Sequence, residues 1–226
     1  MSQKYRHELK YIVNQADAYV LARRLGHVLG RDGHAGGDGR YTVRSLYFDT
    51  PDDKALREKL EGFSRREKYR IRYYGDDPSY LRLEKKSKVE GVGTKRRASL
   101  SPEEVGRIVD GDFEFLGRSG DPLKVELYAR MKGGLLAPKS IVTYTREAFS
   151  YVPGNVRVTI DSRLHGSSVP RDFLDPRRVG LPIDPGFAVL EVKYDSFFPD
   201  VVASALRVSS RQRVAYSKYA ECRRYE

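Results

Sequence analysis

Charged and apolar residues alternate with a period of two along 5–13, with Arg6, Glu8 and Lys10 on one face and Tyr5, Leu9, Tyr11 and Val13 on the other. The alternation returns in 68–73, 80–86, 156–161 and 189–194. For a single such strand the ordinary reading is half exposure, with charges in water and apolar residues on a core. The recurrence, with Arg-x-Arg and Glu-x-Lys inside strands, favours a closed barrel whose lumen is charged and whose apolar outer face is covered by helices.

Strands are expected over 5–13, 41–48, 67–74, 80–88, 92–100, 139–148, 155–164 and 187–195. Gly75-Asp76-Asp77-Pro78 has turn composition and should join the third and fourth as a hairpin. Asn14 can cap a helix to about Leu29 with an apolar stripe of Val20, Leu21, Leu25, Val28 and Leu29. Thr50-Pro51-Asp52-Asp53 reads as the start of a short helix to about Leu60, with Thr50 as the capping hydroxyl. Ser101-Pro102-Glu103-Glu104 has capping-box spacing, and Asp121-Pro122 opens a helix that stops near Gly133-Gly134. Pro199 opens a last helix that should bury Val201, Val202 and Leu206, followed by basic Arg211-Gln212-Arg213. The glycine-rich 30–39 lacks Walker spacing and reads as a connector. The fold class expected is therefore α+β: an antiparallel closed tunnel β-barrel of about eight strands with helices packed outside. One domain over 1–226 is expected, its helical segment at about 199–223 capping the barrel.

Charge changes this picture most. The 226 residues carry a formal net charge of +11, which points to an anionic partner. If one face of every strand turns inward, the lumen collects Arg6, Lys10, Arg70, Arg72, Arg82 and Lys86. Lys95, Arg146, Arg157 and Lys193 join them, against Glu8, Glu84, Asp161 and Glu191. Such an excess cannot stay buried without a polyanion. Phosphate chains fit it, since arginine offers bidentate donors, lysine a compact charge, and the carboxylates could hold Mg²⁺ or Mn²⁺. The chemistry implied is phosphoryl transfer by positioning and charge neutralisation. The single Cys222 excludes an internal disulfide, and His7, His27, His34 and His165 show no metal-ligand spacing. No apolar run approaches the ~20 residues that span a bilayer, so a membrane would be met through a partner, and a cytoplasmic location is expected.

Several short motifs, in order, resemble one family. They are the 5–11 segment, Ser45-Leu46-Tyr47-Phe48-Asp49, Tyr69-Arg70-Ile71-Arg72-Tyr73 and Leu83-Glu84-Lys85-Lys86, then Tyr144-Thr145-Arg146-Glu147-Ala148-Phe149, Val156-Arg157-Val158-Thr159-Ile160-Asp161, Val189-Leu190-Glu191-Val192-Lys193 and Ser217-Lys218-Tyr219. Together they resemble the VTC domain, the polyphosphate polymerase domain of the triphosphate tunnel metalloenzyme superfamily. The resemblance implies a metal-dependent transfer of the γ-phosphate of ATP to a growing inorganic polyphosphate chain, releasing ADP. By position, Lys10, Arg70, Arg72, Lys86, Arg146 and Lys193 match the family's phosphate-binding basic residues, Lys95 more loosely, and Glu191 its metal-binding glutamate. Tyr144, Ser217 and Lys218 match residues near the phosphate chain or the tunnel's end. The chain departs from the superfamily's triphosphatase branch in having Arg6-x-Glu8-x-Lys10 instead of Glu-x-Glu-x-Lys, and from the eukaryotic polymerase in having Ala215 in place of a lysine.

Other readings stand beside this one. The same tunnel with water as acceptor would be a tripolyphosphatase or nucleoside triphosphatase, and a +11 chain could bind polyphosphate without catalysis. Nucleic acid is not expected, because no stacking platform or groove-reading helix is evident. Tyr144 could be packing, Glu191 and Lys193 a pair along one face, and Asp161 a metal ligand or a counter-ion to Arg157.

Overall fold

The computed structural model describes residues 6–33, 36–90, 92–208 and 212–224, so Tyr5, His34 and Arg211 lie outside the described residues. The chain divides into two compact units. Unit 1 comprises Met1–Thr42, Tyr144–Leu164 and Pro182–Ser217; unit 2 comprises Val43–Thr143, His165–Leu181 and Lys218–Glu226.

All the expected strands form: β1 (His7–Asn14), β3 (Arg40–Asp49), β4 (Arg66–Tyr74), β5 (Leu81–Val89), β6 (Val92–Leu100), β7 (Ala137–Tyr151), β8 (Val156–Ser167) and β10 (Phe187–Tyr194). Three two-residue strands were not foreseen: β2 (Gly30–Arg31), β9 (Leu181–Pro182) and β11 (Gln212–Arg213). The ladders β1 with β10, β10 with β8, β3 with β4, β4 with β5 and β5 with β6 are antiparallel. The strand order ends at β11 and at β6, and no ladder among the described residues joins those two. The closed barrel of about eight strands is thus corrected to an open antiparallel sheet of eleven. Among the described residues β11 pairs two residues with β1, and at the other end β6 exposes Lys95, Arg96 and Arg97, the charge pattern that blunts a free edge.

In unit 1, helix α1 (Gln15–Val28) starts at Asn14, whose side chain accepts from the Asp17 amide. It buries Ala18, Leu21, Ala22 and Leu25 against Val13, Val158, Ile160, Leu190 and Val192. Val20, placed on the stripe by the sequence, is exposed instead, and the small Ala18 and Ala22 let the helix lie close. Helix α5 (Asp200–Ala205) follows Pro199 and buries Val202, with Leu206 just beyond, while Val201 is exposed. The expected helix from 199 to about 223 is interrupted by β11 and resumes as α6 (Lys218–Arg223), which belongs to unit 2.

In unit 2, α2 (Lys54–Leu60), α3 (Pro102–Val109) and α4 (Pro122–Gly134) accompany β3 to β6. Ser101 and Glu104 form the capping box of α3, and Asp121 accepts from the Leu123 and Lys124 amides at the head of α4. Tyr69, Ile71, Tyr73, Leu81 and Leu83 from the strands meet Val105, Ile108, Leu123 and Leu127 from these helices in one core. Helix α2 begins later than the sequence suggested. Asp53 is left-handed with φ 55° and makes no cap bond; the Thr50 hydroxyl caps as expected, accepting from the Lys54 amide at 3.1 Å, and the Asp49 carboxylate adds to it, accepting from the Ala55 and Leu56 amides at 2.8 and 3.1 Å. One charge breaks the alternation. Arg44 is fully buried on the core side and donates to the carbonyls of Phe173 at 3.0 Å and Asp172 at 2.7 Å.

Candidate functional site

Each unit carries a cluster of charged side chains on the strand face opposite its apolar core, because alternate residues of an extended strand point to opposite sides. In unit 1 the cross-strand register pairs Lys10 with Glu191 and Glu8 with Lys193. The Lys193 ammonium lies 2.5 Å from Glu191 and 3.8 Å from Glu8, and the Lys10 ammonium 3.5 Å from Glu191 and 3.2 Å from Glu8. Burial would lower the Lys10 pKa, but the Glu191 and Glu8 charges outweigh it and raise it. Lys10 also donates to the Tyr216 carbonyl at 3.3 Å, which brings the chain beside Ser217 to this cluster.

Arg146, on β7, grips both oxygens of the fully buried Asp161 at 2.6 and 2.8 Å. Burial opposes the arginine's charge, yet Asp161 holds its pKa well above the ordinary value. The Tyr144 hydroxyl accepts from Arg146 at 3.3 Å, with the guanidinium carbon 5.3 Å from the tyrosine ring. The sequence had offered Arg157 as Asp161's partner; Arg157 instead donates to Asp32 at 2.5 Å. Arg6 is tied at the strand's end to the Asn155 carbonyl and Asp195, apart from Lys10 and Glu191.

In unit 2 the register aligns three rows across β3 to β6: Tyr47, Arg70, Glu84 and Arg97; Ser45, Arg72, Arg82 and Ser99; and Lys68, Lys86 and Lys95. Glu84 is the hub. It accepts from Arg70 at 2.8 and 2.6 Å, pairs with Lys95, and lies 3.6 Å from Arg97. Burial alone would push its carboxyl up, but Arg70, Lys95 and Arg72 outweigh that and hold it down to about 2. The buried Arg72 donates to Ser45 at 2.8 Å, and Arg82 donates to Ser99 and Tyr80. Lys86 is exposed, and Lys218 begins α6.

Two residues of this face escaped the sequence reading. Tyr47 lies on the same face as Ser45, accepts from Arg70 at 3.0 Å, and stacks on Tyr219 at 5.0 Å. Burial would raise its phenol, but Arg70 and Arg72 bring it down to about 8. Lys68 stands 5.2 Å over the Tyr219 ring, and desolvation lowers its ammonium to about 8 despite the nearby phenol. A phenol and an amine that both exchange protons near neutrality can serve as acid and base. The signal was present in the sequence, since Ser45, Tyr47 and Asp49 share a parity, but an apolar-looking run hid it.

Among the described residues no three His, Cys, Asp or Glu side chains gather as a metal site. Unit 1 still offers hard oxygen donors. Glu8 and Glu191 share the same two lysines, and the neighbouring Thr159 hydroxyl is buried with no hydrogen-bond partner among the described residues. Two carboxylates completed by phosphate oxygens and water suit a Mg²⁺-type ion. Asp161 and Glu84 have their oxygens taken up by guanidinium and ammonium groups.

The VTC-domain sequence profile matches residues 5–225, a span that runs through both clusters. The chain belongs to the VTC-domain family. This VTC domain is also similar in fold to HpAC1 from Hippeastrum, a candidate adenylyl cyclase described as having a dominant triphosphatase activity. The TM-score is 0.60 at 14% identity, over 98% of this chain and 97% of that one. A candidate adenylate cyclase from Bacillus halodurans matches at 15% identity and TM-score 0.49, over 91% of this chain and 87% of that one. A protein from Pyrococcus horikoshii OT3 matches at 12% identity and TM-score 0.48, over 98% and 99%. No curated protein sequence matches the chain. Among the described residues of this VTC domain, no helix is long and apolar enough to cross a membrane.

Proposed function

We propose that this VTC domain is a cytoplasmic, metal-dependent polyphosphate polymerase that moves the γ-phosphate of ATP onto inorganic polyphosphate. The observation that carries the reading is the cationic face of β4 to β6. There Lys68, Arg70, Arg72, Arg82, Lys86 and Lys95 share a sheet face with Glu84, and desolvation presses Lys68 and Lys95 down to about 8. A face that disfavours its own charges is stabilised by an anion, and a phosphate chain supplies one at every repeat.

In the transfer, an ionised terminal oxygen of the polyphosphate attacks the γ-phosphorus, the bond to the β-phosphate oxygen breaks, and ADP leaves. No proton needs to be removed from that nucleophile. Arg70 and Arg72 would hold phosphoryl oxygens through parallel N–H donors, and both are fixed in place, by Glu84 and by Ser45. In unit 1, Lys10, Lys193 and Arg146 would bind phosphate, with Tyr144 orienting Arg146. Glu191 and Glu8 would hold Mn²⁺ or Mg²⁺, which would supply positive charge to neutralise the phosphates.

Tyr47 and Lys68 favour a second reading, a triphosphatase, because a neutral Lys68 could take the proton from an attacking water. The two readings separate in one assay. With ATP and Mn²⁺ supplied, a polymerase yields ADP and acid-stable polymer; the hydrolase yields free phosphate and no polymer. Absence of both outcomes over a range of metals and with a polyphosphate primer would sink the enzymatic reading.

A further inference from the structure

On β8, Arg157, Thr159 and Asp161 share one face while Val158 and Ile160 pack into the unit 1 core. Thr159 is 3% exposed, and its hydroxyl oxygen is buried without a hydrogen-bond partner among the described residues. Such a group is costly, and its persistence asks for a second state in which it is satisfied. The partner directly across the ladder is Glu191. Directly opposed residues bring their Cβ atoms to about 4.5–5.5 Å, within reach of a hydroxyl and a carboxylate. In the present arrangement the Glu191 carboxylate turns to the Lys193 and Lys10 ammoniums and makes no bond to Thr159.

We propose that Thr159 is a positioning residue for Glu191: when a divalent cation draws Glu191 off Lys193, the Thr159 hydroxyl donates to the carboxylate oxygen that the cation leaves free. The lysines hold Glu191 in one state and the threonine in the other, and no proton changes owner. The inference rests on the reading that Glu191 takes a divalent cation. It also explains why a hydroxyl stands where valine would pack equally well, since threonine and valine have the same shape.

Thr159→Val separates the two states because its effects should have opposite signs. Without metal, removing the orphan hydroxyl should raise the melting temperature by about 2–4 °C. With Mn²⁺ alone titrated into the protein and the free ion followed by electron paramagnetic resonance, affinity should fall about 10-fold, the loss expected when a ligand's supporting hydrogen bond is removed. Thr159→Ser should restore Mn²⁺ binding. A purely structural threonine would lower the melting temperature on substitution and leave Mn²⁺ affinity alone, and that result overturns the proposal. Glu191→Gln run alongside tells the two failures apart. If it binds Mn²⁺ like the parent, the metal reading falls and this inference with it; if it loses Mn²⁺ while Thr159→Val does not, only the role of Thr159 falls.

Discussion

The two charged clusters are built on opposite principles. In unit 1 nearly every charge has a counterpart at contact distance: Lys10 and Lys193 with Glu8 and Glu191, Arg146 with Asp161, Arg157 with Asp32. In unit 2 one carboxylate, Glu84, is shared by Arg70, Lys95 and Arg97, while Lys68, Arg72, Arg82 and Lys86 lie in the rows beside it. A balanced cluster is held together by its own charges, and removing one partner leaves the other exposed to the full penalty of burial. A cluster with excess charge strains against itself until an anion arrives. The first should therefore govern stability and the second ligand response.

The largest effect expected from this contrast is on Asp161. Asp161→Asn keeps the shape but strands a buried guanidinium, so chemical denaturation should show a loss of about 3–5 kcal/mol. A variant as stable as the parent would mean that charge balance is not what holds unit 1. Next comes Arg70→Ala, which should cut polymer synthesis by about two orders of magnitude, because it removes charge-assisted contacts to a phosphate in the transition state. Its melting temperature should change little or rise, since Glu84 keeps Lys95 and Arg97. A variant that unfolds at room temperature, or polymerises at the parent rate, would erase the distinction between the units.

The smallest effect is a pH signature of the unit 2 cluster. The Glu84 carboxyl is depressed from 4.5 to about 2, so its contribution is present above 4.5 and lost as pH falls through about 2. Lys68 and Lys95, lowered from 10.5 to about 8, and Tyr47, lowered from 10.0 to about 8, act with the same sign in a second window at high pH. Between about 8 and 10 the unfolded chain binds more protons at these groups, so stability should rise as pH climbs through that range. Glu84→Gln should flatten the acid limb of a melting-temperature profile, and Lys68→Met the alkaline rise; limbs unchanged in both variants would detach these groups from stability.

Much of this was legible in the chain, for reasons that are local. Period-two alternation placed the faces of β1, β4, β5, β8 and β10, and Asn14, Ser101 and Asp121 announced their helices because a cap is a contact over two or three residues. What stayed hidden depends on register between distant strands. Nothing near Asp161 says that Arg146 will meet it rather than Arg157, and nothing near Thr50 says that Asp49 will join it in capping α2. Arg44 defeats the pattern altogether, because its burial is supported by carbonyls of a segment more than a hundred residues away. Tyr47 and Lys68 share the parity of Ser45 and Arg70 in the sequence, but their common face appears only once β3 and β4 are aligned.

Asp49 serves two helices at once: its carboxylate caps α2 and accepts from the hydroxyl of Tyr219 on α6 at 2.6 Å, across 170 residues of sequence. Arg223, one turn later, reaches Asp53 at 2.8 and 2.9 Å. A nascent chain emerging from the ribosome can therefore form the hairpin of β4 and β5 early but must wait for α6 before unit 2 is whole. During that interval Asp49 has one helix end to satisfy, and Tyr47 lacks the ring that stacks on it in the finished fold.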